Sequence, residues 1–251
     1  MEHSRPYILS IAGLDPSAGA GLLADIKTFE NLSTYGLSVC TAITVQNDIS
    51  FEKCQWTTPA LIFDQLDILF SRFTIPVVKI GIVENWEVLN QIINYLMTKN
   101  STTKIIWDPI LKSSTDYTFQ NQTSLSSFES IIRNCYLITP NYPEIQQLTR
   151  GNSTAKKIQL LQQHCSILLK GGHHPIHKGT DFLYQHQGNI IEYPSTAISS
   201  FEKHGSGCVL SSSIAAFLAL GNPLEEACKM AKEYTFTFLE STNHLLGYHT
   251  S

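Results

Sequence analysis

The sequence predicts an α/β fold with a mainly parallel central sheet that is covered by helices on both faces. Short apolar runs typical of buried strands alternate with segments of helical periodicity along the whole chain. Polar residues or glycine follow nearly every apolar run, and no composition shift, internal repeat or linker divides the 251 residues. Alternation of this kind indicates βαβ units. We therefore predict a single domain over residues 1–251.

The first half of the chain begins with a predicted strand over 7–12. A helix with one apolar face follows the glycine-rich segment 13–21, and Gly36 ends it. Two further helices are expected. One starts at Thr57-Thr58-Pro59, where a hydroxyl cap precedes proline, and the other runs from Trp86 through Met97. The remaining strands predicted in this half cover 37–45, 76–81 and 104–107.

The second half continues the alternation. Lys112 to Ser127 is polar and is predicted to be a loop or a mobile flap, and 195–203 is a second polar loop. The segments 181–184 and 189–193 read as an antiparallel hairpin. The predicted helices cover 128–134, 142–148, 155–164, the segment up to Leu220, and about Leu224 to Leu246, while the predicted strands cover 136–139 and 166–170.

Composition and charge exclude several classes of protein. The formal net charge of −4 and the pI near 6.1 argue against general affinity for nucleic acid or for anionic membranes. No apolar stretch is long enough to span a bilayer. The six cysteines are scattered and form no C-x-x-C pair, which fits a reducing compartment. We therefore expect a cytoplasmic protein with neither a nucleic-acid nor a membrane partner.

The segment His204-Gly205-Ser206-Gly207-Cys208 runs directly into an apolar helix. Glycine allows close backbone approach, and the first N–H groups of a helix carry partial positive charge without an internal partner. Such a turn binds anions, most often phosphate. Cys208 falls in the first turn, where this field is expected to lower the pKa of the thiol. The alternative is a plain glycine turn beside a buried cysteine.

Chemically versatile residues follow the predicted strands. In chain order they are Asp15, Gln46-Asn47, Gly81, Asp108, Asn141 with Glu144, and Lys170-Gly171-Gly172. The carboxyl ends of parallel strands meet at one edge, where ligands bind. Together these residues offer phosphate donors, carboxylates for a divalent cation, and a nucleophile or base in Cys208. That combination predicts phosphoryl transfer, although neither a Walker A loop nor a protein-kinase motif set is present.

Each of these residues also has a purely local explanation. Asp15 and Asp108 each precede proline and can simply begin turns. Asn141 can cap a helix, with Glu144 three residues later as its capping-box partner. Lys170 can be a solvated strand end. The combination, rather than any single residue, favours a site.

Several motifs in order resemble the hydroxymethylpyrimidine/phosphomethylpyrimidine kinases of the ribokinase-like superfamily. They are 12–21 (AGLDPSAGAG) with 24–29 (ADIKTF), 41–47 (TAITVQN), 79–81 (KIG), 108–109 (DP), 139–141 (TPN) with Glu144, 170–173 (KGGH) and 204–208 (HGSGC). This resemblance covers nearly the whole chain. It implies a three-layer α/β/α sandwich, thiamine biosynthesis, ATP and Mg²⁺ as cofactors, and a homodimer. The implied reaction converts hydroxymethylpyrimidine to its monophosphate and the monophosphate to the diphosphate.

The resemblance also implies roles for individual residues. The backbone of Gly205, Ser206 and Gly207 would hold the transferring phosphoryl group, and Cys208 would accept the hydroxyl proton or position the substrate. The implied pyrimidine-binding residues are Gly13, Asp15, Asp25 and Gln46. The implied nucleotide-binding residues are Asn141, Lys170, Gly171 and Gly172, and the implied metal-binding residues are Asp108 and Glu144.

Two other functions stay open at this point. The first is a pyridoxal or pyridoxine kinase of the same superfamily, since both substrates are small heteroaromatic rings with a hydroxymethyl group. The second is a non-catalytic pyrimidine-phosphate binding protein, against which the presence of Cys208 argues. The chain also departs from the family pattern: Ala18 replaces a glycine of the first loop, Ile82 replaces methionine, and the C-terminal Gly-x-Gly-Pro-Val segment is absent.

Overall fold

The structure of the chain, a computed structural model, describes residues 5–111, 125–148, 151–173, 176, 178–195 and 202–250. The strands are β1 (Tyr7–Leu14), β2 (Tyr35–Gln46), β3 (Phe51–Trp56), β4 (Val77–Ile80), β5 (Lys104–Trp107), β6 (Leu137–Ile138), β7 (Ser166–Leu169), β8 (Asp181–Tyr184) and β9 (Ile190–Tyr193). The helices are α1 (Gly21–Asn31), α2 (Pro59–Phe70), α3 (Trp86–Lys99), α4 (Leu125–Asn134), α5 (Tyr142–Leu148), α6 (Thr154–Gln162), α7 (Ser206–Ala219) and α8 (Leu224–Glu240).

One nine-stranded sheet contains all these strands, in the order β3-β2-β1-β4-β5-β6-β7-β8-β9. Six neighbouring strands pair in parallel, in the order β2, β1, β4, β5, β6 and β7. β3 adds to one edge in antiparallel orientation, and the β8–β9 hairpin adds to the other. The mainly parallel sheet and the hairpin predicted from the sequence are confirmed.

Two hydrophobic cores lie on opposite faces of the sheet. Leu9 and Ile11 of β1 point into a core with α2 to α6, whereas Ile8 points into a core with α1, α7 and α8. This division follows from the alternation of side chains along a strand. The short central strands are buried on both faces because each carries an almost continuous apolar run. The result is the predicted three-layer α/β/α arrangement.

Several element boundaries differ from the predictions. β3 was not predicted, because polar and exposed residues (Glu52, Lys53 and Gln55) interrupt its apolar ones. A four-residue turn joins β2 to β3. Within this turn, Asn47 Oδ1 accepts hydrogen bonds from the Ile49 and Ser50 N–H groups. The last helix was predicted to reach Leu246 but ends at Glu240, because the polar segment that follows, Ser241-Thr242-Asn243-His244, provides side-chain hydrogen bonds that compete with the helix.

The predicted flap over 112–127 lies mostly outside the described residues. Its last three residues, 125–127, form the first turn of α4. Most of the predicted loop 195–203 also lies outside them. Among the described residues, no helix combines the length and apolar character needed to cross a bilayer.

Candidate active site at the carboxyl edge of the sheet

A cavity of about 1500 Å³ lies at the carboxyl edge of the parallel strands. Its wall contains every residue that the sequence singled out for the site except Asp25, Asn47 and Gly171. The parallel topology accounts for this, because the segments following β1, β4, β5, β6 and β7 all emerge at one edge. The N-terminus of α7 closes the cavity from one side.

The turn before α7 adopts its shape because of glycine. Gly205 is the N-cap, with φ 77° and ψ 9° in the left-handed region. A methyl group on Gly205 would overlap the carbonyl oxygen of Gly19. The Ser206 N–H is directed to the Lys203 carbonyl at 3.4 Å, and the Val209 N–H donates to the Gly205 carbonyl at 3.0 Å. The Gly207 and Cys208 N–H groups lie between them in the first helical turn.

Gly207 faces a lysine and a carboxylate across the cavity. A β-carbon built on Gly207 would lie 3.5 Å from Lys170 Nζ and 4.0 Å from Asp108 Oδ2. The helix N-terminus and the Lys170 ammonium therefore bring positive potential to the same small volume. This arrangement can hold a phosphoryl group through backbone N–H groups and a cation.

Lys170 and two carboxylates form an ion cluster beside this turn. Lys170 Nζ lies 2.8 Å from Asp108 Oδ1 and 3.7 Å from Glu144 Oε2. Asp108 is fully buried and also accepts hydrogen bonds from Thr139 Oγ1 at 3.0 Å and Ser211 Oγ at 3.2 Å. Although burial lowers the pKa of Lys170, the charges of Asp108 and Glu144 raise it well above its usual range, so the ammonium remains protonated.

Asn141 and Glu144 form the predicted capping box at the start of α5. The Asn141 N–H donates to Glu144 Oε2 at 2.7 Å, and the Glu144 N–H donates to Asn141 Oδ1 at 2.8 Å. Burial raises the pKa of Glu144 to about 7, against the opposing effect of Lys170. The local explanation and the site explanation are thus both compatible with the geometry, because the capped residues also line the cavity.

Cys208 corrects one prediction. We expected the helix N-terminus to lower the pKa of its thiol, but the pKa is raised to about 11. Burial is the main cause, and the charges of Asp25 and Asp108 add to it. Lys79 and the Gly21 backbone N–H act in the opposite direction and partly offset the burial. In the ligand-free protein the thiol is therefore protonated at neutral pH.

Asp25 was expected to contact the pyrimidine, but it lies behind the cavity wall and is fully buried. Both of its oxygens accept hydrogen bonds from Lys79 Nζ, at 3.0 and 2.8 Å, and Oδ2 also accepts one from Ser10 Oγ at 2.5 Å. The carboxylate therefore has its donors inside the protein. Lys79, rather than Asp25, reaches the cavity wall.

Asp15 lines the cavity, but its carboxylate organises the loop that contains it. It accepts hydrogen bonds from the Ser17 and Ala20 N–H groups, both at 2.9 Å, and from His204 Nε2 at 2.9 Å. Although burial raises the pKa of Asp15, these hydrogen bonds lower it overall. Ala18, which replaces glycine, takes the left-handed conformation with φ 58°.

Gln46 and Gly13 also line the cavity. Gln46 Nε2 donates to Thr44 Oγ1 at 2.8 Å, and Thr44 Oγ1 donates to the Leu14 carbonyl at 2.9 Å. This chain of hydrogen bonds fixes the Gln46 amide relative to β1. A β-carbon on Gly13 would lie 2.5 Å from Ile82 Cδ1, so that a larger residue there would displace the Ile82 side chain.

Gly171 and Gly172 have different surroundings: Gly171 packs inside the fold, whereas Gly172 lines the cavity. The Gly171 N–H donates to Asp181 Oδ1 at 2.7 Å, and Asp181 Oδ2 accepts from Lys232 Nζ at 2.8 Å. A side chain on Gly171 would overlap Thr180, whereas Gly172 is exposed on the cavity wall with no atom near its β-position. Gly171 therefore ties the segment after β7 to β8 and α8.

Three polar residues of the site received no role from the sequence: Lys79, Ser211 and His204. Lys79 gave a signal, because a lysine within the apolar run Val77-Val78-Lys79-Ile80 is buried only if it has a partner. His204 was noted only as part of the turn motif. Ser211 gave none, since serine on an apolar helix usually bonds to the preceding turn.

The chain is similar to a family of known kinases. The model for the phosphomethylpyrimidine kinase family matches residues 15–250. A hydroxymethylpyrimidine/phosphomethylpyrimidine kinase of Aquifex aeolicus is 33% identical over 246 residues, which cover 94% of this chain and 95% of that protein. A bifunctional thiamine biosynthesis protein of Geobacter sulfurreducens is 34% identical over 92% of this chain, which spans only 48% of its length.

Solved structures agree with this similarity. A crystal structure of a phosphomethylpyrimidine kinase from Clostridium difficile has a TM-score of 0.77 and 30% identity, and the match covers 92% of this chain and 98% of that one. A pyridoxal kinase of Staphylococcus aureus in complex with pyridoxal has a TM-score of 0.79 and 25% identity, covering 97% and 92%. Both kinases therefore share this architecture.

Proposed function

The chain belongs to the phosphomethylpyrimidine kinase family, and we propose that it phosphorylates hydroxymethylpyrimidine with ATP and then converts the monophosphate to the diphosphate. One observation supports this proposal most directly: Lys170 and Asp108 lie next to the N-terminus of α7, which carries Cys208. Phosphoryl transfer depends mainly on such positioning and on stabilising charge on the transferring group.

The transferring phosphoryl group would lie at the α7 N-terminus. The Gly207 and Cys208 N–H groups are placed to donate to its oxygens, and Lys170 would neutralise charge from the opposite side. Gly207 has no side chain, which leaves this volume free. Asn141 and Gly172, on the same wall as Lys170, would contact the nucleotide.

Cys208 would accept the proton of the substrate hydroxyl. Because its thiol is protonated in the ligand-free protein, only the thiolate fraction can do so. The Lys79 ammonium and the Gly21 N–H stabilise that thiolate. Since metaphosphate-like transition states need little nucleophile activation, a small thiolate fraction is compatible with turnover.

The pyrimidine would lie between Gly13 and Gln46. The amide of Gln46 offers a donor and an acceptor to the edge of an aminopyrimidine. Asp15 would act by ordering the loop that borders this pocket, and Asp25 by holding Lys79. This assignment changes the predicted roles of the two aspartates from direct contact to support.

The oxygen donors near Lys170 fit Mg²⁺ that arrives with the nucleotide. Among the described residues, no cluster of three or more His, Cys, Asp and Glu side chains forms a metal site of protein groups alone. Mg²⁺ commonly takes one or two carboxylates and completes its shell with phosphates and water. Asp108 and Glu144 would supply those carboxylates, and the bound ion would neutralise charge on the phosphates.

The proposal extends to the setting of the enzyme. We place it in the cytoplasm, since its six cysteines are unpaired.

We expect a homodimer. The apolar side chains of Ile43, Val45 and Ile49 are exposed around the β2–β3 turn, and a second copy of the chain would cover them. Sedimentation velocity of the wild type and of Val45→Lys tests this assembly. The proposal concerns the kinase reaction alone, since the chain spans about half of the bifunctional relative.

A second candidate is pyridoxal phosphorylation. It is favoured by the similarity in fold to the pyridoxal-bound kinase of Staphylococcus aureus. ATP consumption with Mg²⁺ should be measured against hydroxymethylpyrimidine, its monophosphate, pyridoxal and ribose, with products identified by mass. Reaction of both pyrimidines, with pyridoxal far slower, supports the proposed function. Faster reaction of pyridoxal supports the second candidate, and ATP binding without any product supports a binding protein.

A further inference from the structure

We propose that His204 is a positioning residue that holds the loop 15–21 against the turn 205–208, through its hydrogen bond to Asp15. In this way it places the Gly21 N–H at the Cys208 thiol. The inference rests on the proposed function, because Cys208 and this turn are the parts of the site that it supports. His204 acts through another residue and makes no step of the reaction itself.

The hydrogen bond between the two side chains lies in a buried environment. His204 Nε2 is 2.9 Å from Asp15 Oδ2, and both residues are buried. A carboxylate only accepts hydrogen bonds, so the imidazole carries its proton on Nε2. The same carboxylate accepts the Ser17 and Ala20 N–H groups. The His204 side chain thus fixes the Asp15 carboxylate, and that carboxylate in turn orders the loop 15–21.

The loop and the turn also fit each other without space for larger residues. A β-carbon on Gly205 would overlap the Gly19 carbonyl oxygen, and one on Gly19 would lie 2.6 Å from the His204 ring. Gly21, at the end of the loop, faces Cys208 with its backbone N–H. A small displacement of the loop would therefore change the surroundings of the Cys208 sulfur.

The C-terminal segment supports His204 from the other side. The His204 N–H donates to the Leu245 carbonyl at 2.9 Å, and Lys203 Nζ donates to the Thr242 carbonyl at 2.6 Å. The side chain of Leu246 approaches Gly19 closely, since a β-carbon there would be 2.7 Å from Leu246 Cδ2. The backbone at His204 is thus held in place independently of Asp15.

The test compares His204→Leu with His204→Gln. Glutamine keeps an N–H donor that can reach Asp15, and leucine does not. We expect His204→Leu to lower kcat about 10- to 100-fold, because small displacements of reacting groups have effects of that order. KM for ATP should change less than about threefold, since Lys170 and Gly172 are not displaced. His204→Gln should recover most of the loss.

Asp15→Asn and the double variant Asp15→Asn/His204→Leu complete the test. Because both residues act through one hydrogen bond, the double variant should be about as slow as the slower single variant. Independent, multiplicative losses would overturn the proposal. So would wild-type kcat in His204→Leu, or a His204→Gln variant as slow as His204→Leu. If His204→Leu does not fold, His204→Gln and Asp15→Asn still provide the comparison.

Amide hydrogen exchange separates this inference from the proposed function. We expect peptides over 15–21 to exchange faster in His204→Leu than in the wild type, and peptides of α3 to stay unchanged. That result without pyrimidine kinase activity in the wild type would support the positioning role and overturn the proposed function. Unchanged exchange over 15–21 in an active enzyme would overturn the positioning role alone.

Discussion

The ammonium of Lys79 lies 2.8 Å from the carboxylate of Asp25, and the two side chains are completely buried between β4 and α1. Ser10 of β1 adds a hydrogen bond to the same carboxylate. Although burial lowers the pKa of Lys79, the negative charges of Asp25 and Asp108 raise it overall. A protonated lysine therefore lies at the cavity wall, where its charge favours the thiolate form of Cys208.

Replacing only one residue of the Lys79–Asp25 pair should lower the free energy of unfolding far more than replacing both. We expect Lys79→Met to lower the free energy of unfolding by about 3–5 kcal/mol, because it leaves a buried carboxylate without its cation. Urea denaturation should show that Lys79→Met/Asp25→Leu recovers much of this loss, since apolar pairs can replace buried ion pairs. A Lys79→Met variant as stable as the wild type would contradict this account.

Gly205 and Gly207, in the turn before α7, should tolerate alanine less well than Gly172, in the segment after β7. Gly205→Ala should lose folding or nearly all turnover, because the added methyl group meets the Gly19 carbonyl and φ is positive. Gly207→Ala should fold, since its methyl group has ordinary contacts, yet lose turnover by occupying the phosphoryl volume. Gly172→Ala, whose methyl group meets no atom, is the matched control for folding alone. Wild-type turnover in Gly207→Ala, measured beside the melting temperatures of the three variants, would refute the assigned phosphoryl position.

The parts of the fold that depend on local pattern were predictable. Apolar runs that end at Asp15, Asp108 or Lys170 revealed the strands and the edge at which they meet, and the Asn141–Glu144 spacing revealed the capping box. The Lys79–Asp25 pair was not predictable, because it joins residues 54 positions apart. The outcome differed most for the Cys208 thiol, whose pKa depends on burial by the whole tertiary structure rather than on its helix.

The pH dependence of stability should carry a contribution from His249. Burial, and to a lesser extent Lys27, lowers its pKa from 6.5 to about 4, and Nδ1 lies 3.1 Å from the Tyr234 hydroxyl. The unfolded chain therefore binds a proton at higher pH than the folded protein. The resulting stability is complete above about pH 6.5 and is lost as the pH falls towards 4.

Chemical denaturation between pH 4 and 7 tests this contribution. His249→Gln should lose less stability over this range than the wild type, because glutamine does not titrate. His244→Gln changes an exposed histidine of the same segment and serves as the matched control. Identical slopes for His249→Gln and the wild type would show that His249 does not titrate differently in the two states.

Turnover should rise with pH if Cys208 acts as the base. With a thiol pKa of about 11 in the free protein, the thiolate fraction increases about tenfold for each pH unit below that value. We expect kcat/KM for hydroxymethylpyrimidine to rise between about pH 6 and 8, once titration of the phosphates is allowed for. A profile that stays flat would make Cys208 a positioning group rather than the base.

Turnover and binding should be measured together for the wild type and Cys208→Ala. We expect the wild type to convert hydroxymethylpyrimidine and ATP to the monophosphate and ADP. We expect Cys208→Ala to lose about 100-fold or more in kcat, while calorimetry shows nearly unchanged Kd values for both ligands. Unchanged turnover in Cys208→Ala would contradict the assignment of this turn and its cysteine as the catalytic centre.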